Sequence, residues 1–395
     1  MAKNGENLTP VIILGGLENT LSMVRSLGSQ GVPVIVATVA EFPVYSSRYC
    51  TKGFPFVAGV SARDHFRNLL LGEGLEEHKG SVVFLCSDDA IEFAIEFNDE
   101  LREHYILDVH QPDQQRAMLN KELALQLAKE AGVAIPEFWH VETMEDVRDI
   151  VDDIEFPAAI KPHYSHLFQQ KFDGLKLFLV EDREELLEKA QLAFDNGIEF
   201  MINEYVPGPS TLLSSFYCHY DHDGNSLFEY TKSIIRRMPN FGGASFHKSH
   251  WLPETAAQGD RYFRSFGFTG HAVIEFKKDP RNGVLKVMEI NARFVAGQPL
   301  PTGCGVDIAW MIYCFLTGRE VVKVVSYREN VYLWSLRKDF LAFRGLRAKG
   351  EITTLEWLKS LMHTRYVFQL FSLTDPVPNV VMSANWFKAH LRRLF

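Results

Sequence analysis

Residues 272–294, "AVIEFKKDPRNGVLKVMEINARF", place the strongest constraint on how this chain folds. Two apolar runs flank "DPRNG", a segment of turn formers, and read as the arms of a β-hairpin. On the second arm Glu289, Asn291 and Arg293 fall at every second position, and strand side chains alternate faces, so these three share one face. If the loop has an odd number of residues centred near Asn282, Glu275 lies opposite Glu289. A five-residue loop from Asp279 to Gly283 shifts that pairing by two and keeps both on one face, whereas a two-residue Asn282-Gly283 loop separates them. Facing carboxylates repel, and buried ones are costly unless neutralised, so a cation is expected between them. Two carboxylates and an amide oxygen are hard ligands that suit Mg²⁺ or Mn²⁺ better than zinc, and Mg²⁺ completes its shell with water and substrate phosphates. The competing reading, two solvated glutamates, sits poorly with flanks this apolar.

The remaining sequence is ordinary globular chemistry. Its 395 residues, 46% hydrophobic and 23% charged, can form two or three domains around a large core. A net charge of −9 argues against a nucleic-acid binder, which needs a basic footprint. The first ten residues, "MAKNGENLTP", lack the apolar core of a signal peptide, and the longest apolar run, from Ile308, is too short to span a bilayer. Five scattered cysteines without CxxC spacing fit reduced thiols in a cytoplasmic protein.

The beginning of the chain alternates strand and helix: "VIILGG" from Val11, the helical "TLSMVRSLGSQG", "VPVIVATV", then "SVVFLCSDD" before the helical "AIEFAIEFNDELREH". This rhythm predicts a parallel sheet with right-handed crossovers. The "GG" after the first strand lacks the full G-x-G-x-x-G pattern and reads as a tight turn rather than a dinucleotide site. A second region begins near Asp113 with "AMLNKELALQLAKEAGVAIPEF", read as one helix closed by Gly132. Strands follow at "FPAAIKPHYS", "KLFLV" and "FMINEYVPG", then two strands joined at Asp223-Gly224, where "HYDHDG" reads as a turn and not a metal loop. From Arg337 to Phe395 there are ten Lys or Arg and four Asp or Glu, a balance of +6 that leaves −15 elsewhere. The helical patterns "LEWLKSLMHTRYVFQLF" and "NWFKAHLRRLF" read either as a subdomain packed on the body or as a surface that touches membrane or a partner.

If phosphates are present, cations must meet them. Lys161 interrupts the apolar "AAI" strand and needs a partner for its charge. Lys121 opens a helix and is less telling alone. Arg236 and Arg237 end a strand before "MPNFGG", and an arginine fork there can hold a carboxylate or phosphate, or form a rim salt bridge. Walker A, G-x-S-x-G and H-E-x-x-H patterns are absent.

Taken in order, Lys121, "AAIKP", "INEYVPG", "VIEFKKD" and "MEINARF" resemble the ATP-grasp superfamily, especially carboxylate–amine ligases similar to D-aspartate ligase, over about residues 8 to 322. The resemblance implies an α/β protein: a Rossmann-like pre-ATP-grasp parallel sheet (1–112), a two-lobed α+β ATP-grasp domain (113–322) and a helical C-terminal extension (323–395). It implies that Lys121 and Lys161 contact ATP phosphates. Adenine would sit at the "NEYV" hinge, with Glu204 and the Val206 backbone as its partners. Mg²⁺ would be held by Glu275, Glu289 and Asn291. Arg293 would steady the transferred phosphoryl group, and Arg237, before Arg236, would bind the substrate carboxylate or the phosphate. Two departures stand out: Ser210 lies where many relatives carry an acidic ribose ligand, and the loop after Lys161 is poor in glycine, which leaves Lys176 without a clear role. "FGGASFHKSH" (241–250) is the candidate acceptor wall by its position. The implied partners are a small carboxylate and an amine, with homodimers common in such enzymes. An ATP-grasp small-molecule kinase and a non-catalytic nucleotide-binding protein are the alternatives.

Overall fold

The computed structural model describes residues 7–324 and 326–391, apart from the side chains of 165, 166 and 387–391. Most of the polar N-terminal segment (1–6) and the tip of the last basic pattern (392–395) therefore lie outside the described residues.

Four short apolar segments and one polar one build the first sheet: β1 (Val11–Leu14), β2 (Val34–Ala37), β3 (Lys52–Gly53), β4 (Val82–Leu85) and β5 (Ile106–Leu107). Their order, β3-β2-β1-β4-β5, is parallel throughout, as the strand–helix rhythm predicts. The doubled glycine after β1 is a turn: Gly16 has φ +74°, and a Cβ there would come within 2.5 Å of Thr20 Oγ1.

A small lobe follows, made of β6 (Phe138–His140), β7 (Ala158–Pro162), β8 (Phe178–Val180) and β9 (Phe200–Glu204) in the order β6-β9-β7-β8. The large lobe is a seven-stranded sheet: β10 (Leu213–Tyr220), β11 (Ser226–Arg237), β12 (Ala244–Ser249), β13 (Gly270–Lys278), β14 (Leu285–Asn291), β15 (Tyr332–Trp334) and β16 (Tyr366–Phe368). Period-2 alternation divides its faces. Phe216, Cys218, Ile274 and Phe276 pack toward helices 121–130 and 253–265. Tyr217, Tyr230 and Val273 share a core with β1, β2, β4 and the helices at 299–316, so the first domain and the large lobe have one continuous interior.

Two expectations change. The helix read as continuous across residues 117–130 is broken at Asn120, whose side chain accepts from the Glu122 and Leu123 amides at 3.0 and 3.2 Å. That cap starts a new helix with Lys121 as its first residue. The C-terminal extension is also not purely helical, because β15 and β16 extend the large sheet beyond β12. It packs on the body: Asp375 pairs with Arg25 at 2.9 Å and accepts from the Ser47 hydroxyl and the Arg48 amide. Among the described residues no helix is long and apolar enough to cross a membrane.

Candidate active site

The β13–β14 hairpin supplies the site, through a register the sequence did not disclose. The loop is even: Lys278 pairs with Leu285, and the Asp279 and Val284 backbones bond across it at 2.8 Å. Carried inward, that register would set Glu275 and Glu289 on opposite faces. It does not persist. Phe276 pairs with Val287 but Glu275 pairs with Glu289, so Met288 is an extra residue, a β-bulge that returns the two carboxylates to one face. The bulge also frees the Met288 carbonyl to accept from Lys161 Nζ at 2.7 Å.

Cations converge here from three elements. Lys161 reaches across from β7 in the small lobe. Lys121, at its helix start, donates to the Pro162 carbonyl at 3.0 Å. Lys176 lies on the segment before β8. Burial alone would raise the Glu289 carboxyl, but Lys176, Lys121, Lys161 and Arg293 outweigh it and hold Glu289 well below the usual carboxylate range. Lys176, without a clear role in the sequence, thus acts electrostatically on Glu289. Burial and the neighbouring Lys161 push the Lys121 ammonium down to about 8. Burial lowers Lys161 too, opposed by Glu289.

The first domain contributes a residue that motif reasoning missed. Arg293 donates from Nε to Asp88 at 2.6 Å, and Asp88 begins the helix after β4. Asn19 fixes the next turn by donating to the Phe294 and Cys86 carbonyls at 2.9 and 2.8 Å. Asp88, Lys121, Tyr164, Glu289 and Asn291 line one small cavity between domain and lobe. "SDD" at the end of a strand was the available signal, since acids in a first helical turn are otherwise routine dipole partners.

Between the lobes lies a cleft of about 580 Å³, a size that suits a nucleotide. The hinge after β9 forms one wall, with Glu204, Tyr205 and Val206; Lys161, Lys277 and Met288 lie along it, and Arg237 to Phe241 close one side. Ser210 lines it too. Both Glu204 oxygens are engaged, by Lys286 Nζ at 2.9 and 2.8 Å, by Arg281, and by the Glu137 amide at 2.9 Å. Its side chain therefore anchors the hinge to the hairpin loop. The Val206 carbonyl accepts from Lys277 Nζ at 2.8 Å. Ala342, Gly345, Leu346 and Lys349 of the C-terminal extension complete the cleft, so that extension forms part of the site wall.

The two adjacent arginines part company, as neighbours on a strand must. Arg236 is buried and makes a two-pronged pair with Asp339, at 2.7 and 3.0 Å, plus a bond to Ser360. Its charge is answered inside the fold, and it does not line the cleft. Arg237 faces the cleft and donates to the Gly242 and Phe241 carbonyls at 2.9 and 3.0 Å. Phe241 itself is in the left-handed region at φ +58°, an uncommon conformation for a bulky residue in a loop that borders the cleft.

Two carboxylates, an amide, three lysines and an arginine around one point form a donor set for a hard divalent cation and phosphates. No family model matches the chain. D-aspartate ligase from Enterococcus faecium (strain Aus0004) is 22% identical over 323 residues, which span 75% of this chain and 74% of the ligase. The biotin carboxylase domain of Hydrogenobacter thermophilus 2-oxoglutarate carboxylase, a dimer in complex with MgADP, ADP and bicarbonate, superposes with a TM-score of 0.66 at 16% identity, over 83% of this chain and 74% of that one. N5-carboxyaminoimidazole synthetase from Staphylococcus aureus, complexed with ADP, gives 0.62 at 16% identity over 84% and 82%. The chain has the fold that these solved enzymes share.

Proposed function

We propose that the protein is an ATP-dependent carboxylate–amine ligase. The observation that carries this reading is the bulged hairpin that turns Glu275 and Glu289 onto one face, with Lys121, Lys161, Lys176 and Arg293 around Glu289. Glu275, Glu289 and Asn291 would hold Mg²⁺, or Mn²⁺, which when bound neutralises the β- and γ-phosphates. The hinge backbone at Glu204–Val206 faces adenine, and Lys121 and Lys161 take the phosphates. A carboxylate oxygen of the acid attacks the γ-phosphorus, the bond to the β-phosphate oxygen breaks, and ADP leaves. The amine nitrogen then attacks the acyl carbon, phosphate departs, and the amine's proton passes to solvent. Arg293, held by Asp88, bears on the charge that shifts to the transferred phosphoryl group. The protein chiefly positions reactants and answers developing charge.

The test is release of ADP and phosphate from MgATP across a panel of acids and amines. Release that needs both, with an amide product, supports the ligase. A phosphorylated product formed without any amine would make the protein a kinase, and ATP binding without turnover would make it a nucleotide sensor. The C-terminal extension belongs to this reading as a cleft wall rather than a membrane anchor, and liposome flotation with and without residues 350–395 checks it. A homodimer would parallel the carboxylase dimer above, and sedimentation would show it.

A further inference from the structure

A second polar cluster lies on the same face of the large sheet. Cross-strand pairing runs Glu289–Glu275 from β14 to β13, Glu275–Ser215 to β10, and Ser215–Lys232 to β11. Directly paired residues share a face, so Lys232 is two strands from Glu275, on the order of 10 Å. Glu275 acts electrostatically on both Lys232 and Tyr217.

This cluster is buried and under-satisfied. Lys232 is 2% exposed. Its ammonium lies 3.3 Å from His247 Nδ1, and no carboxylate pairs with it among the described residues. His247 bonds through Nε2 to the Ala244 carbonyl at 3.2 Å, which leaves Nδ1 to accept from the lysine. The Tyr217 hydroxyl, the Ser215 hydroxyl and both amide atoms of Gln298 are buried without a hydrogen-bond partner among the described residues. Such groups are rare in folded proteins and costly to keep. Gly297 lies against two of these side chains: a Cβ there would come within 2.7 Å of Lys232 Nζ and 2.9 Å of the Tyr217 oxygen. The Lys232 ammonium and the Tyr217 hydroxyl meet under this glycine, Ser215 shares their sheet face and Gln298 is the next residue, so donors gather here with no carboxylate or phosphate among them.

We propose that Lys232, Tyr217, Ser215 and Gln298 form the oxyanion subsite that receives the carboxylate of the acid substrate, beside Glu275. This rests on the ligase reading. Lys232 neutralises the carboxylate, the hydroxyls and the amide orient it, and His247 positions the lysine. Burial pushes the Lys232 ammonium down to about 8, with Glu275 pulling it upward, so it carries its charge at neutral pH. Gly297 is the residue type that leaves the donors uncovered.

The test uses the full-length protein with Lys232→Met and Gly297→Ala. In acid-dependent ADP release, each variant should raise the KM for the acid more than tenfold and change the KM for ATP less than twofold. Folded variants with a wild-type KM for the acid would overturn the subsite. Calorimetry separates this from the ligase reading. D-aspartate, succinate, acetate and inorganic phosphate are titrated into the protein with Mg²⁺ and a non-hydrolysable ATP analogue. A carboxylate that binds the wild type and not Lys232→Met supports the subsite even if no amide forms. Binding of none of the carboxylates, or of phosphate as an adventitious ion only, would refute it.

Discussion

The two ends of the β13–β14 hairpin carry similar charge and use it in opposite ways. At the turn, Asp279 accepts from Arg281 at 2.9 Å and pairs with Lys286 at 3.2 Å, while Glu204 takes both cations from the hinge side. Each charge there meets its opposite within one local network. At the far end Glu275 faces Glu289, like against like, and the answering cations are Lys121, Lys161 and Lys176 from outside the hairpin and Arg293 just beyond β14. The turn network fixes the hinge to the hairpin. The far end is arranged against its own folding interest, as the proposed metal and phosphate site requires.

The sharpest way to break this comparison is Glu289→Gln. Loss of one preorganised charge should lower kcat by at least about 10²–10³-fold. Thermal stability should hold or rise, because the change relieves Glu275. Equal loss of stability and activity, seen by calorimetry beside the ADP assay, would make Glu289 another structural charge. Next comes the arginine pair. Asp339→Ala strips Arg236 of its buried partner and should cost about 3–5 kcal/mol of unfolding free energy in urea titrations. Arg237→Ala should leave stability within about 1 kcal/mol and raise the KM for ATP or the acid, since its guanidinium borders the cleft. If the two variants are equally destabilised, the division between structural and cleft-facing arginine fails.

The smallest effect is in pH. Folding holds the Lys121 pKa at about 8, below that of the unfolded chain. From pH 8 up to the ordinary lysine range the unfolded chain therefore binds more protons, and the nucleotide-free protein grows more stable as pH rises. Nucleotide affinity runs the other way, because phosphate needs the charged amine. The Kd for MgATP should rise above pH 8, by up to about tenfold per unit for a single proton. Titration calorimetry in two buffers of different ionisation heat should show proton uptake at pH 8.5. A flat Kd from pH 7.5 to 9.5 would remove Lys121 from the phosphate site.

Much of the site was legible because it obeys period 2: an acid, an amide and a guanidinium on alternate positions stand out in an apolar strand. The bulge at Met288 was not, since one extra residue in a ladder leaves no mark in composition, and only the partner strand's register reveals it. The break at Asn120 did have a signal, a capping residue before "KEL", but unbroken helical propensity on both sides masked it. β15 and β16 are three residues each, too short for periodicity, and they exist by pairing with β12 and with each other. The roles of Arg236 and Arg237 were half legible: alternation says one faces away, and only the fold says which. Asp88 came from a domain more than two hundred residues away in sequence, which no local pattern reports.

The central claim is best tested by following oxygen. An acid substrate carrying ¹⁸O in its carboxylate would be turned over with MgATP and an amine, and the released phosphate analysed by mass spectrometry. The ligase reading of the hairpin site predicts one ¹⁸O atom in each phosphate, because a carboxylate oxygen attacks the γ-phosphorus and leaves with it. Turnover that delivers phosphate without the label would contradict acyl phosphate formation and the ligase reading built on it.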